Sequence, residues 1–136
     1  MRDTIDDEMP GYTIKNLKEL DDPLEGKGHG VEARFARKHL DSEHLGVSYF
    51  HYGPDVHSTL GHSHREQEEA YIVVSGSGRM KLDDDVVDLK TWDVVRVAAE
   101  VIRAFEAGPD GLELLAVGSD RPEGGDGVMA KDFWPQ

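Results

Sequence analysis

Cysteine is absent from this chain of 136 residues. Its absence excludes disulfides, thiolate metal ligands and cysteine nucleophiles. The sequence also lacks an apolar run long enough to cross a bilayer. The first residues show no basic region followed by an apolar stretch, so no signal peptide is predicted. We therefore expect a cytoplasmic protein that does not associate with a membrane.

Basic residues are scarce: the chain has 15 lysines and arginines against 28 acidic residues, for a net charge of −13. Such a surface repels phosphate backbones, so we expect no nucleic-acid partner for this acidic protein. Solubility or a salty cytoplasm explains the acidity, which identifies no substrate. The length predicts a single domain, residues 1–136, large enough to bury a core.

Long amphipathic helices are missing as well, which argues against an α/β fold. Short β-prone segments recur instead at intervals of about 8–12 residues, as in an all-β sandwich or barrel. The predicted strands are 12–16 (an edge strand), 31–35, 45–52, 70–75, 79–82, 86–89, 92–97, 101–106 and 112–117. Residues 83–85 predict a tight hairpin turn. A short helix is expected only within 34–43.

The two ends of the chain and one central strand carry further signals. The segment 118–127 is rich in Gly, Asp and Pro and is predicted to be irregular. The aromatic pair Phe133 and Trp134 is expected to pack the C-terminus back onto the sheet. The strand 70–75 is apolar on both faces, which indicates that one face fills a barrel and the other meets a second sheet or subunit.

The most informative stretch contains His62 and His64. Residues i and i+2 of a strand point to the same face, so both imidazoles can approach one point. Glu69 follows, and six residues separate it from Gly76. Glu68 fits a shorter spacing from His64 but not the spacing to the glycine. Two histidines and a carboxylate form a face suited to a divalent metal.

This block resembles the first motif of the cupin superfamily, and the resemblance covers about residues 49–118. It implies a cupin-like double-stranded β-helix, or jelly-roll barrel, with a core at about 45–118 and irregular extensions at both ends. It also implies a divalent metal (Fe, Mn, Ni or Zn) held by His62, His64 and Glu69, although the metal is not required by the fold. Cupins commonly pair, so a homodimer is expected.

The second cupin motif is degenerate here. Trp92 stands where a glycine is expected, Ala98 replaces the proline and Glu100 the second glycine, and Ala107 stands in the place of the asparagine. Arg103 occupies the place of the third histidine. A guanidinium is always protonated and has no acceptor, so it cannot ligate a metal.

Three outcomes follow from this arginine. The remaining three ligands still hold an ion, and Arg103 binds an anionic group of the substrate. Alternatively, Arg103 pairs with Glu69 and occupies the place of the metal. In the third outcome another histidine supplies the missing ligand, and position slightly favours His57 in the preceding loop over His51 on the preceding strand.

A barrel of this kind encloses one small ligand when side chains do not fill it. Tyr49, Tyr71 and Phe105 would line such a pocket with Arg103, although core packing explains the three aromatics equally well. The sequence predicts a small-molecule-binding barrel with an incomplete metal site. One alternative is a metal-dependent enzyme of dioxygenase or isomerase type acting on a small organic acid or sugar, with Glu68 as a distant acid–base candidate. The other is a metal-free binding or structural module.

Overall fold

Eight β-strands and one short 3₁₀ helix, Leu17–Glu19, form the regular structure of residues 11–136, the part of the chain that the computed structural model describes. The strands are β1 Val31–Phe35, β2 Gly46–Tyr52, β3 Gly61–His64, β4 Glu69–Leu82, β5 Asp85–Lys90, β6 Val94–Val97, β7 Arg103–Gly118 and β8 Gly127–Ala130. The predicted all-β class is confirmed. Among these residues no helix is long and apolar enough to traverse a bilayer.

The long strands β4 and β7 form the centre of the sheet. They run antiparallel from the pair Glu69–Gly118 to the pair Leu82–Arg103. Strand β2 adds to the second half of β7, and β1 adds to β2. Strands β5 and β6 pair with opposite ends of β4. All these pairings are antiparallel, and the curled sheet has the predicted jelly-roll character.

The predicted strands 70–75 and 79–82 are joined in one strand, because the glycine-rich segment 76–78 between them does not form a turn. Strand β4 continues through it with register shifts between Val73 and Ser75 and between Gly76 and Gly78. A β-bulge absorbs an extra residue and bends a strand without ending it. The predicted strands 101–106 and 112–117 are likewise joined in the single strand β7, in which residues 108–111 stand opposite Ser77 of β4.

The outcome for the other local predictions is mixed. The hairpin is confirmed: β4 and β5 end at the pair Leu82–Asp85, and Asp83 has φ 51°, as a tight two-residue turn requires. The edge strand at 12–16 is wrong, because Asn16 instead caps the 3₁₀ helix by accepting from the amide of Lys18. The helix within 34–43 is also wrong, since that segment continues β1 and then forms turns.

The barrel interior is filled by alternate residues of β2, β4 and β7, because successive side chains of a strand point to opposite faces. The buried cluster comprises Tyr71, Val73, Met80, Leu89, Val97, Phe105, Ala107, Leu112, Leu114 and Ala116. The residues that alternate with them along these strands face outwards. There Ile72 pairs in register with Val94 on one side and with Leu115 on the other, forming an apolar row.

The C-terminal segment completes the barrel. Strand β8 pairs with β3 along its whole length, from Gly61–Ala130 to His64–Gly127. Trp134 is buried, and its amide donates to the carbonyl of Thr59. The predicted packing of the aromatic C-terminus is therefore confirmed. Strands β1 and β8 lie outside residues 45–118 and extend the sheet at its two ends.

Candidate metal centre

The structure brings His62, His64 and Glu69 together in the barrel. Both histidines lie on the inward face of β3, and Glu69 is the first residue of β4. One ligand atom from each residue lies within 4.8 Å of the others. The carboxylate Oε1 is 3.1 Å from the Nε2 of His64 and 3.7 Å from the Nε2 of His62. Small side-chain adjustments would bring these atoms to about 2.0–2.2 Å from a common ion.

His64 lies between two carboxylates. Its Nδ1 is 2.8 Å from Asp126 Oδ1, and its Nε2 is 3.1 Å from Glu69 Oε1. A neutral imidazole has one proton, so one of these contacts would place a nitrogen lone pair against a carboxylate oxygen. A cation at Nε2 removes this conflict. The donor set therefore fits a divalent ion held by Nε2 and the Glu69 carboxylate, with the Nδ1 proton donated to Asp126.

Without such an ion, a second proton on the ring would serve the same purpose. The hydrogen bond with Glu69 is the main reason why the pKa of His64 is raised, and the bond with Asp126 adds to it, against the effect of burial. A metal and a proton would compete for the same nitrogen.

Glu69 is prepared as an anionic ligand. Burial by itself raises the pKa of this carboxyl, but hydrogen bonds with His62, His64 and Tyr71 outweigh burial and hold the pKa well below its usual range. Burial also raises the pKa of Tyr71 well above its ordinary value. The Tyr71 hydroxyl thus stays protonated at neutral pH and donates to Glu69 Oε1 at 2.5 Å.

Arg103 lies in the same interior and faces His62 in the pairing of β3 with β7. Its side chain is fully buried. The guanidinium donates to the carbonyls of Ala98 and Ala99 at 3.3 and 3.4 Å, and it is 3.9 Å from Glu69 Oε1. Its Nε has no hydrogen-bond partner among residues 11–136. Arg103 thus places a positive charge 3.9 Å from Glu69. It also stabilises the turn at Ala98 and Ala99 through hydrogen bonds to their carbonyls, where the second motif departs from the cupin pattern.

Asp126 is a site residue that the sequence did not reveal. Its side chain has no exposed surface. One carboxylate oxygen contacts His64, and the other accepts from the amides of Glu66 and Gln67, both at 2.8 Å. Burial raises the pKa of Asp126, but the two amides and His64 lower it to about 2. Its separation from His64 is 62 residues, and no local pattern links the two.

His57 and Glu68 lie outside the cluster. The two ring nitrogens of His57 contact Glu106 Oε2 and the carbonyl of Trp134, each at 2.7 Å. In this structure His57 therefore does not join the cluster that was expected to need a further ligand. The bridge between His57 and Glu106 puts this histidine on the outer face of β7, away from the site. Glu68 is exposed and pairs with Arg96 at 2.7 Å, so it is not a ligand in this arrangement.

The three aromatic residues that were predicted to line the pocket lie in different places. Tyr71 contacts the cluster, since its hydroxyl is also 3.4 Å from His62 Nε2. Phe105 packs against the Tyr71 ring at 5.1 Å and belongs to the core beneath the site. Tyr49 does not line the interior: it pairs with Leu115 on the outer face and donates to Glu113. Strand β2 was predicted correctly, but the face on which Tyr49 lies was not.

Comparison with known proteins gives a result at the level of the fold. No protein-family model matches the sequence, and no curated protein matches it. Solved structures do. A cupin protein from Bacteroides fragilis superposes with a TM-score of 0.68 at 21% identity over 85% of this chain and 89% of that one. KdgF from Halomonas sp. superposes with a TM-score of 0.60 at 11% identity, over 91% of this chain and 98% of that one.

Oxalate decarboxylase from Bacillus subtilis gives a TM-score of 0.69 at 22% identity, over 88% of this chain and 32% of that one. The present chain thus spans about a third of that protein. The chain has the cupin fold, as the resemblance of its first motif implied. The fold does not determine a reaction, so the functional conclusion depends on the site.

Proposed function

We propose that this cupin barrel binds one divalent metal ion through His62, His64 and Glu69 and presents it to a small-molecule ligand. The observation that carries the proposal is the position of His64 Nε2 at 3.1 Å from the ionised Glu69, with the other ring nitrogen bonded to a buried carboxylate. Three protein ligands leave coordination positions for water or a ligand. Iron, manganese, nickel and zinc all suit nitrogen and oxygen donors of this kind.

The ligand that we propose is a small organic anion. In a conventional arrangement the position of Arg103 would hold a neutral histidine, so the arginine adds one positive charge to the interior. With a divalent ion bound, the charges of the ion and Arg103 exceed the two negative charges of Glu69 and Asp126 by one, which favours an anionic molecule in the open positions. Arg103 exerts this effect as a buried charge, because it offers no accessible surface to the ligand.

Catalysis on such a ligand is the enzymatic form of the proposal. Oxalate decarboxylase is, by its name, an enzyme that acts on a small organic acid, and we extend only that substrate class to the present chain. The bound metal would polarise an oxygen of the ligand as a Lewis acid. Tyr71 would hold Glu69 in place, and His62, with 34% of its side chain exposed, lies nearest to the solvent of the three ligands.

A metal-free binding module is the second candidate. It is favoured by one observation, the 3.9 Å distance between the Arg103 guanidinium and Glu69 Oε1. In that case the arginine and a protonated His64 would balance the two buried carboxylates, Glu69 and Asp126, and no ion would be needed.

Elemental analysis of untagged protein distinguishes the two candidates. We expect about one equivalent of a transition metal after reconstitution with Fe²⁺, Mn²⁺, Ni²⁺ or Zn²⁺, and a loss of that metal in His62→Ala. His62 is partly exposed, and its side chain contacts only the site itself, Tyr71 at 3.4 Å and Glu69 at 3.7 Å among the described residues, so its loss should leave the fold intact. The matched control is His39→Ala, at an exposed histidine outside the cluster. A wild-type protein that holds no metal after reconstitution, or equal metal contents in His62→Ala and His39→Ala, would contradict the metal site.

We also propose that two copies of the chain pair through the outer face of β4, β6 and β7. Val94 is 65% exposed there and continues the apolar row of Ile72 and Leu115. Trp92, just before β6, is 74% exposed. Pairing would remove this apolar surface from water.

Sedimentation equilibrium at micromolar concentration tests the pairing. The wild type is expected to show the mass of two chains. Val94→Asp would place a charge in the paired face and is expected to give the mass of one chain. Val86→Asp is the control, because Val86 is 45% exposed on the hairpin at the other end of β4. A single-chain mass for the wild type, or the same dissociation in both variants, would contradict the pairing.

A further inference from the structure

The buried carboxylate of Asp126 connects two parts of the site. Its Oδ1 contacts His64 Nδ1 at 2.8 Å, and its Oδ2 accepts from the amides of Glu66 and Gln67. Those amides belong to the loop between His64 and Glu69. A single side chain therefore orients one candidate ligand and organises the segment that leads to the next.

The surrounding backbone fixes Asp126 in turn. Its carbonyl accepts from the amide of Arg65 at 3.2 Å, and β8 begins at the next residue, Gly127. Strand β8 is paired with β3, the strand that carries His62 and His64. The carboxylate is thus held against His64 by the sheet itself and has little freedom to turn away.

We propose that Asp126 is the positioning residue of the site: it keeps the proton of neutral His64 on Nδ1 and leaves Nε2 free to ligate a metal. The consequence for metal binding rests on the function proposed above, whereas the position of the proton does not. Outer partners of this kind orient metal-binding histidines and raise their basicity. The C-terminal segment is therefore part of the functional site as well as part of the sheet.

The variant Asp126→Asn tests this role, because the amide has the same shape. The two backbone amides require an acceptor, so the asparagine oxygen must take the place of Oδ2. Its NH₂ group then faces His64 Nδ1 and requires an acceptor there. The ring proton is forced onto Nε2, where it blocks ligation. The control is Asp120→Asn, which alters a similar contact of 2.9 Å to His44 Nδ1 between two exposed side chains.

Two measurements are needed. Nitrogen-15 NMR of the metal-free proteins, at a pH at which His64 is neutral, is expected to show the Nδ1–H form in the wild type and in Asp120→Asn. Asp126→Asn is expected to show the Nε2–H form with the sheet signals retained. Competition with a chromophoric chelator is expected to give an affinity for Zn²⁺ lower by about 10–100-fold in Asp126→Asn alone.

The outcomes separate the two proposals. A switch of tautomer in a protein that binds no Zn²⁺ at all supports Asp126 and overturns the metal site. Metal binding by the wild type with an unchanged tautomer in Asp126→Asn overturns the role of Asp126, whatever the affinity of the variant. If Asp126→Asn loses its sheet signals, Asp126→Ser serves as the second variant, because it removes the carboxylate that faces Nδ1; an unchanged tautomer and an unchanged Zn²⁺ affinity in it would also overturn the role.

Discussion

Replacing Arg103 with histidine is expected to raise the affinity of the barrel for Zn²⁺ by on the order of 100-fold. Residue 103 faces His62 in the pairing of β3 with β7, so an imidazole there would point into the same cluster. A fourth protein ligand would join the existing three. A structural zinc site with four ligands binds with about 10–16 kcal/mol, so each ligand contributes roughly 3 kcal/mol, which corresponds to about a 100-fold change. Titration against a chelator of known affinity measures this change.

Loss of the arginine charge would by itself raise the affinity for a cation, so a control must separate charge from ligation. Arg103→Gln removes the charge and adds no imidazole, and a smaller gain is expected from it. Thermal unfolding of both variants checks that the turn at Ala98 and Ala99 survives without the guanidinium hydrogen bonds. Equal affinities in the two variants would show that residue 103 does not project into a coordination position.

Replacing Gly76 with alanine is expected to lower the free energy of unfolding by about 2–5 kcal/mol. Gly76 has φ +78°, and an added Cβ would lie 2.1 Å from the carbonyl oxygen of Gly111. Both atoms belong to the paired strands β4 and β7, so neither can move without displacing the centre of the sheet. Urea unfolding followed by circular dichroism measures the loss.

Gly124→Ala is the matched control for Gly76→Ala. Gly124 has φ +84°, but no heavy atom lies within 4 Å of its added Cβ. This variant should show only the conformational cost of a side chain in the left-handed region, about 1–2 kcal/mol. A loss as large as that of Gly76→Ala would mean that the close approach of β4 to β7 is not what requires glycine in the motif.

The part of the site that could be predicted from sequence is the part encoded by local spacing. His62 and His64 share a face because strand side chains alternate, and the interval from Glu69 to Gly76 matches a geometry that the bulge at Gly76 imposes. The motif also gave the correct place for Arg103. Its contacts could not be predicted, because they depend on the carbonyls of a turn whose conformation the degenerate motif does not define.

Long-range pairing explains most of what the sequence did not predict. Asp126 reaches His64 only because β8 pairs with β3, and nothing in the glycine-rich segment before it signals a strand. Tyr49 was placed on the wrong face because β2 is apolar on both sides, so alternation alone does not identify the inward residues. Phe50 and Tyr52 pack against the interior instead.

Trp92 shows how the structure explains a departure from the motif. It stands where cupins have a glycine, and its φ is +75°, a conformation in which glycine carries no steric cost. A bulky residue is strained there. Its side chain is 74% exposed, so the chain tolerates the strain without crowding the core.

The order in which strands pair has a consequence for the synthesis of the protein. In the described part of the chain, strand β3 has one register pair with β7, His62 with Arg103, whereas it is paired with β8 along its whole length. The strand that carries His62 and His64 therefore gains most of its sheet pairing only after β8 has been synthesised. Non-local pairing of this kind closes late in folding. An ion would enter a finished barrel, and its availability would set the fraction of loaded protein rather than the yield of folding.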